Sequence, residues 1–459
     1  FPEEYADYIG LEVVGRTSLP ERQWEGALQG GELMLQTARR FGYQRWKLNA
    51  CYESNYRLDA LLGQRRQAEW YVRDLLLSQA WGFRDIFIGI IMDTGNAYAG
   101  SFWGGSGLCT RSPFIYPKRS YVGVAVATKL LDQVALSRSI PTGSPSVYAL
   151  EFKRQDGQYI YPVWTSRGTA ELTIETLPAD YQIFDFYGRP IRRPDSRTCL
   201  SLTAGTAVTY LLASAPVVRS IRCGKRTYPD DQPPDNLKLV NRMDDAAEWT
   251  LAETKEPLLE KTRGTALPYR TLGRYAVRQV ADSEKGNCVE LELVQPNLAL
   301  PTVFHEYAVL KLKRPVTLAG KPNSLGVWVK GNSGWGQVYW VLEDARGQRR
   351  ISCGTRIHRA DVFDYDGRVS ISFDGWNFLS MPITDQSSIP DLSTGSVDNL
   401  WEFGEVNADE TLRRGGAALQ YPIKLVGVAF AAQSRPLFLT ERREHPQIVR
   451  FRDLVAFDD

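Results

Sequence analysis

The sequence predicts a multidomain chain: the end of a partial α/β (TIM-type) barrel, then a small antiparallel β-sandwich, then a β jelly roll. Three observations predict it. Residues 1–138 alternate strand and helix patterns. Residues 146–222 switch to short strands separated by turn signals. Residues 237–459 are again all β, over a length suited to a jelly roll. At 459 residues the chain exceeds what one compact core supports.

The elements follow in order. Asp7–Val14 is a short apolar run of buried-strand type. Ala27–Phe41 reads as a helix that Gly42 stops. Arg45–Glu53 alternates, with Trp46, Leu48, Ala50 and Tyr52 on one face. In Gln64–Trp81, the residues Ala68, Tyr71, Val72, Leu75 and Leu76 recur at helical spacing. Asp85–Asp93 is apolar on both faces, as parallel strands covered by helices are. A Gly/Trp-rich loop follows at Gly100–Leu108, and Tyr121–Leu136 carries a further helical stripe. That makes about three βα units, whereas a closed barrel needs eight over roughly 250 residues. The count fits the last three units. The chain starts at Phe1, not Met, and shows no secretory signal: either a leader was removed or this is the back part of a longer protein, and the motifs below favour the second.

Residues 139–145 read as a linker. The sandwich strands are Val147–Arg154, Tyr159–Ser166, Ala170–Glu175, Gln182–Phe186 and Thr206–Ala213, with turns at Asp156-Gly157 and Tyr187-Gly188. Tyr228–Asn236 is a second linker. The jelly-roll strands are Tyr307–Leu312, Leu325–Lys330, Gln337–Glu343, Val369–Phe373, Asn377–Pro382, Ile423–Phe430, Leu437–Thr440 and Ile448–Leu454.

Composition narrows the function. A net charge of +2 argues neither for nor against an acidic partner, and the scattered basic residues form no run with interleaved aromatics that would suggest a nucleic-acid groove. No apolar stretch reaches the roughly 18 residues of a membrane span. The six cysteines form no C-x-x-C pair, and three histidines are too few for a metal cage, so no metal centre is expected. Cys199–Cys223 is the most plausible disulfide among alternatives the spacing leaves open. The 12 Trp and 22 Tyr suit sugar-binding surfaces and β-sandwich cores alike.

The chemistry concentrates at Lys47–Tyr56. A short strand ends there on a lone carboxylate, Glu53, with Asn49, Tyr52, Asn55 and Tyr56 around it. Barrel enzymes keep their chemistry at the C-terminal ends of strands, and a carboxylate beside aromatics suits sugar-bond cleavage. Polar neighbours such as Asn49 and Tyr56 would keep Glu53 ionised. A solvated loop glutamate is the competing reading. Asp93, ending the next strand, could bind a hydroxyl or cap a turn. Trp103, in S-F-W-G-G-S-G, is a candidate stacking wall or a plug of the barrel end. Trp335, in G-N-S-G-W-G, is expected on an exposed loop as a sugar platform, with Trp376 and Trp401 as further candidates. Trp328 and Trp340 fall inside strands and suit core packing better.

Residue runs then point to a family. Cys51-Tyr52-Glu53-Ser54, Gln67–Asp74, Trp81–Ile88 and Pro117–Val124 resemble the seventh strand through the final helix of a clan-A glycoside hydrolase barrel. Phe152–Gly157, Val163-Trp164-Thr165 and Phe184–Arg189 resemble the small sandwich that follows such barrels. Leu325–Asn332 and Asp344–Gly347 resemble a galactose-binding-like jelly roll of the carbohydrate-binding-module type. The resemblance implies a retaining glycoside hydrolase with Glu53 as nucleophile. The clan's acid/base Glu, in an Asn-Glu pair at the fourth strand, has no counterpart in this chain. It also implies an oligo- or polysaccharide ligand, an N-terminal barrel half in the same or a separate chain, and an extracellular, periplasmic or surface location. A homo-oligomer is compatible with it. No cofactor is implied, beyond a structural calcium in the jelly roll for which Asp244, Asp245, Asp374 and Asp453 carry oxygens without a spacing signature. The alternative is a non-catalytic carbohydrate-binding or structural cell-surface protein with a degenerate barrel.

Overall fold

In a computed structural model of the chain, the residues described are 9–15, 19–25, 38–43, 46–52, 64–83, 85–89, 91–93, 107–111, 113–191, 198–256, 269–300, 304–347, 349–352, 356–357, 371–383, 397–399, 403–406, 412–413, 420–433 and 447–458. They are mostly antiparallel β. Two compact units divide the chain near Tyr228.

The first unit opens with a three-stranded parallel sheet, β1 (Ile9–Gly15), β2 (Trp46–Tyr52) and β3 (Asp85–Ile88), in that order. The helix Gln64–Ala80 connects β2 to β3, as parallel neighbours require. Among the described residues no closed ring of parallel strands occurs.

Its antiparallel part follows. One sheet runs β4 (Val134–Ser139), β5 (Val147–Arg154), β6 (Tyr159–Thr165), β11 (Thr209–Ala213), β8 (Tyr181–Phe184) and β9 (Pro190–Ile191). The other runs β10 (Cys199–Ala204), β7 (Thr169–Thr176) and β12 (Val218–Thr227). Alternate residues of both sheets, among them Val147, Tyr161, Leu172, Ile174, Leu211 and Ile221, form one core. Strands β5 and β6 are buried on their other face too. There Tyr148 and Trp164, cross-strand partners, stack at 5.1 Å. Trp164 Nε1 donates to Glu21 Oε1 (2.7 Å) on the helix Pro20–Glu25. Arg73 of the long helix donates to the Thr165 and Thr206 carbonyls at 3.2 and 3.3 Å.

The long helix therefore has protein on every side. Every residue from Gln67 to Ser78 is buried, where the sequence predicts a single apolar stripe. Its polar positions survive burial because they pair: Arg73 with Glu21, and Asp74 with Trp24. Its large apolar residues, including Tyr71, Val72, Leu75 and Leu76, each contribute about 1.5–3 kcal/mol of burial free energy.

Three sequence expectations change here. The second helical stripe ends early: the helix is Arg119–Leu130, and Val134–Ser139 pairs with β5. Between the helix end and the strand, Gln133 adopts φ +50°, a left-handed turn residue with no glycine or proline to announce it. The segment 139–145 is no loose linker, since Ile140, Thr142 and Ser144 are buried. Finally, β3 is not covered on both faces. Phe87 and Ile91 are 53% and 59% exposed.

Gly123 marks a close contact of the Arg119–Leu130 helix with Phe186 and Val72. A Cβ there would come within 2.4 Å of the Phe186 ring and 3.2 Å of Val72. Gly123→Ala is expected to lower the urea stability of this unit by about 1–3 kcal/mol through overpacking. An unchanged midpoint would show that Phe186 yields freely.

The second unit holds two larger sheets. One runs Tyr275–Asp282, Gly286–Leu293, Ile448–Phe457, Ser324–Asn332 and Asp374–Pro382, with Lys238–Asn241 also pairing to Ile448–Phe457. The other runs Trp249–Leu251, Phe304–Thr317, Lys424–Gln433, Gln337–Glu343, Arg349–Ser352, Phe403–Val406 and Leu412–Arg413, with Tyr269–Leu272 parallel to Phe304–Thr317. The chain's last strand sits in the middle of its sheet, between strands more than a hundred residues earlier, so the order is not a simple meander. Tyr275 of one sheet meets Phe430 of the other edge-on at 6.2 Å. The predicted strands Val369–Phe373 and Leu437–Thr440 fall largely outside the described residues; Ile371–Phe373 is not a strand.

Candidate functional site

The parallel sheet places the candidates of the first unit. Asn49 pairs in register with Glu12 and Phe87, and Tyr52, the last residue of β2, with Gly15. Glu53 follows Tyr52 directly in the sequence. Glu53, Tyr56 and Trp103 lie outside the described residues, as does Trp401.

Asp93 is described in full. Beyond β3 the chain continues through Met92, which bridges to Cys109, and Cys109 bridges back to Pro117. Asp93 N–H donates to the Cys109 carbonyl at 2.9 Å. The Asp93 carboxylate is 2% exposed, and its Oδ1 accepts from Gly107 N–H at 2.9 Å and from Lys118 Nζ. Lys118 is equally buried. Burial pushes the Asp93 carboxyl up despite the adjacent ammonium, and pushes the Lys118 amine down despite the adjacent carboxylate. Gly107 approaches so closely that a Cβ would lie 2.2 Å from the Asp93 nitrogen. In this setting Asp93 is a brace: it ties the end of the strand to the return segment Leu108–Lys118.

Only the ends of that return segment, Leu108 and Pro117-Lys118, figure in the sequence reading; the hairpin between them does not. Thr110 N–H donates to the Tyr116 carbonyl (2.9 Å), Tyr116 N–H donates to Thr110 Oγ1 (3.1 Å), and Thr110 Oγ1 donates to the Phe114 carbonyl (2.7 Å). The result is a hairpin whose tip residues Phe114, Ile115 and Tyr116 are 74%, 67% and 49% exposed. A signal was present in the sequence. Pro113 and Pro117 bracket three large apolar residues, and residues 111–130 contain no Asp or Glu.

In the second unit Trp335 is not the exposed platform expected of it. It is fully buried. The turn that carries it is tied down: Ser333 N–H donates to the Phe373 carbonyl, Trp335 N–H to the Ile371 carbonyl, and Ile371 N–H to the Gly336 carbonyl. The glycines beside Trp335 permit this close pairing rather than access to a ligand. A Cβ on Gly336 would strike Phe430 at 2.4 Å. Trp340 is buried as expected of a strand residue, and Trp376 is 9% exposed with Nε1 donating to Asp282 Oδ1 at 2.9 Å. Of the candidate calcium ligands, Asp244 faces Arg452 at 3.4 Å and Asp245 accepts from Ala247 N–H at 2.7 Å. Among the described residues, no group of three His, Cys, Asp or Glu could hold a metal ion. Nor is any helix there long and apolar enough to cross a membrane. No disulfide joins Cys199 to Cys223, the pairing the sequence singles out only as the most plausible of the possible bridges.

A scan against protein-family models finds no match, and a search of curated proteins finds none. Solved structures similar to parts of the chain include a family 39 glycoside hydrolase from the gut symbiont Bacteroides cellulosilyticus WH2. It is 18% identical at TM-score 0.37, over 46% of this chain and 45% of that one. They also include the family 11 carbohydrate-binding module of a cellulosomal cellulase from Clostridium thermocellum, 10% identical at TM-score 0.26 over 50% of this chain and 97% of that one. A third is TmCBM61 in complex with β-1,4-galactotriose, 10% identical at TM-score 0.19 over 47% and 92%. The chain spans less than half the length of that hydrolase. Likeness at this level assigns no family.

Proposed function

We propose that this chain is carbohydrate-active: the C-terminal portion of a retaining glycoside hydrolase, with Glu53 as nucleophile and the acid/base residue outside the chain. The observation that carries the reading is the parallel β1-β2-β3 sheet with its crossover helix, in which the middle strand ends at Tyr52, one residue before Glu53. Retaining cleavage needs a second carboxyl about 5–5.5 Å away, to protonate the leaving oxygen. The remaining βα units and that acid would come from an N-terminal barrel half, in the same or a separate chain. Asn49, Tyr52, Tyr56 and Trp103 would bind the sugar, and the protein would act outside the cell or at its surface. The second unit would hold the complex on an oligo- or polysaccharide, as a jelly roll of the binding-module type.

A second reading is favoured by the exposure of Phe87 on β3 and of Ile91 beyond it. A non-catalytic carbohydrate-binding or structural surface protein with a degenerate barrel would leave Phe87 and Ile91 in water. An Asn-Glu at a strand end roughly 100–150 residues upstream, three or four βα units, distinguishes the two. In the complete protein, Glu53→Gln is expected to abolish turnover while sugar binding stays as in the wild type. Turnover at the wild-type rate would remove Glu53 from the mechanism.

A further inference from the structure

We propose that the Thr110–Pro117 hairpin and the first turn of the Arg119–Leu130 helix bind an acidic saccharide, one that carries carboxylate or sulfate groups. The inference rests on the carbohydrate reading above and names its substrate class.

Place is the first argument. Ligands of parallel sheets bind outside the carboxyl ends of the strands. The hairpin stands there, pinned to the extension of β3 by the buried Asp93–Lys118 pair and the Asp93–Gly107 hydrogen bond.

The second argument is the rings. Phe114, Tyr116 and Tyr121 are about half to three-quarters exposed. Phe114 and Tyr116 alternate along the hairpin, and Tyr121 follows in the first turn of the helix. The Thr110 hydrogen bonds fix the backbone that carries two of them, so ordering them against a sugar face costs little entropy. The C–H face of a sugar packs on an aromatic face as other apolar surface does.

Charge sets the class of sugar. From Arg111 to Leu130 the chain has four basic residues and no acidic one. Lys118 is committed to Asp93. Arg111 and Arg119 are exposed and make no ion pair among the described residues. A guanidinium matches a carboxylate or sulfate with two parallel hydrogen bonds. A neutral saccharide would use the rings and waste both arginines. A protein partner would bury Ile115 as readily as the rings, and is the competing occupant.

The test is affinity electrophoresis of the full chain in gels holding polygalacturonate, a sulfated galactan or a neutral galactan, at low and physiological ionic strength. The acidic polymers are expected to retard the protein at least about tenfold more strongly than the neutral one, a difference of about 1.4 kcal/mol. Salt should weaken that retardation. Phe114→Ala/Tyr116→Ala should lower retardation by acidic polymers about tenfold. Arg111→Gln/Arg119→Gln should erase the preference for acid. All four side chains are exposed, so the thermal midpoint should not move. Equal retardation by acidic and neutral polymers overturns the inference and leaves the carbohydrate reading standing. Double variants that behave as wild type overturn it likewise. No retardation by any saccharide overturns both. A change in sedimentation coefficient on Phe114→Ala/Tyr116→Ala assigns the hairpin to contacts between copies and overturns the saccharide site.

Discussion

Replacing Arg73 with methionine is expected to destabilise the first unit by about 3–5 kcal/mol. The guanidinium and the Glu21 carboxylate are both fully buried, 3.0 Å apart. Arg73 also donates to the Thr165 and Thr206 carbonyls, and Glu21 Oε1 also accepts from Trp164. Removing the cation leaves a carboxylate buried with a single indole N–H for company. Such a group is stranded at the cost of its desolvation, which far exceeds the ~1 kcal/mol of one hydrogen bond. Glu21→Gln also strands a buried charge but should cost less, because the Arg73 guanidinium keeps its hydrogen bonds to the Thr165 and Thr206 carbonyls. The double variant Glu21→Gln/Arg73→Met should then lose less than the sum of the two single changes, by more than about 0.5 kcal/mol. With two compact units the unfolding curve is not one transition. The measurement is therefore hydrogen exchange of the Gln64–Ala80 amides across a urea series. Exchange midpoints that match the wild type would mean that the buried pair contributes nothing.

The same helix shows where sequence legibility ends. Its existence and limits were readable, because helical spacing of Ala68, Tyr71, Val72, Leu75 and Leu76 is a local property. Its surroundings were not. Arg73 and Asp74 look like solvent-face residues until Glu21, Trp24 and the Thr165 and Thr206 carbonyls, all distant in sequence, close over them. Strands bounded by turn residues were legible for the same local reason: Val147–Arg154 and Gln337–Glu343 match the expectation end to end. Strand Val134–Ser139 was hidden because Val134 and Leu136 continue the preceding helical stripe, and only Gln133 at positive φ interrupts it. Trp335 misled because a Gly-rich turn signals a tight backbone, and tightness serves burial as well as access. Within the candidate site, Asp93 was legible as a strand-end acid. Its partner Lys118, 25 residues on, has no sequence signal, since their meeting depends on two isolated bridges.

Asp282→Asn is expected to cost the second unit about 3 kcal/mol and to flatten its acid sensitivity. Asp282 ends its strand with a side chain 1% exposed. Its Oδ2 accepts from Lys330 Nζ (2.7 Å) and Arg450 Nη1 (3.0 Å), and its Oδ1 from Trp376 Nε1 and Glu284 N–H, both at 2.9 Å. Arg450 turns its Nε to Glu290 at 2.8 Å. The strand register explains the convergence: Glu290, Arg450, Lys330 and Trp376 are successive cross-strand partners in one row. Burial alone would raise the Asp282 carboxyl. The hydrogen bonds from Lys330, Trp376 and Glu284 N–H outweigh it and hold the group well below the ordinary carboxylate range. A depressed native value means that the carboxylate stabilises the fold above the unfolded value near 3.9, and that this contribution drains away as pH falls below it. The asparagine keeps the shape and the indole contact but leaves two cations facing each other without their shared anion. Urea stability followed by exchange of the Ser324–Asn332 amides should thus fall from about pH 4.5 downward and keep falling toward about pH 2 in the wild type, and fall less steeply in Asp282→Asn. Parallel pH curves for the two proteins would show that Asp282 is not the anion on which this row of charges depends.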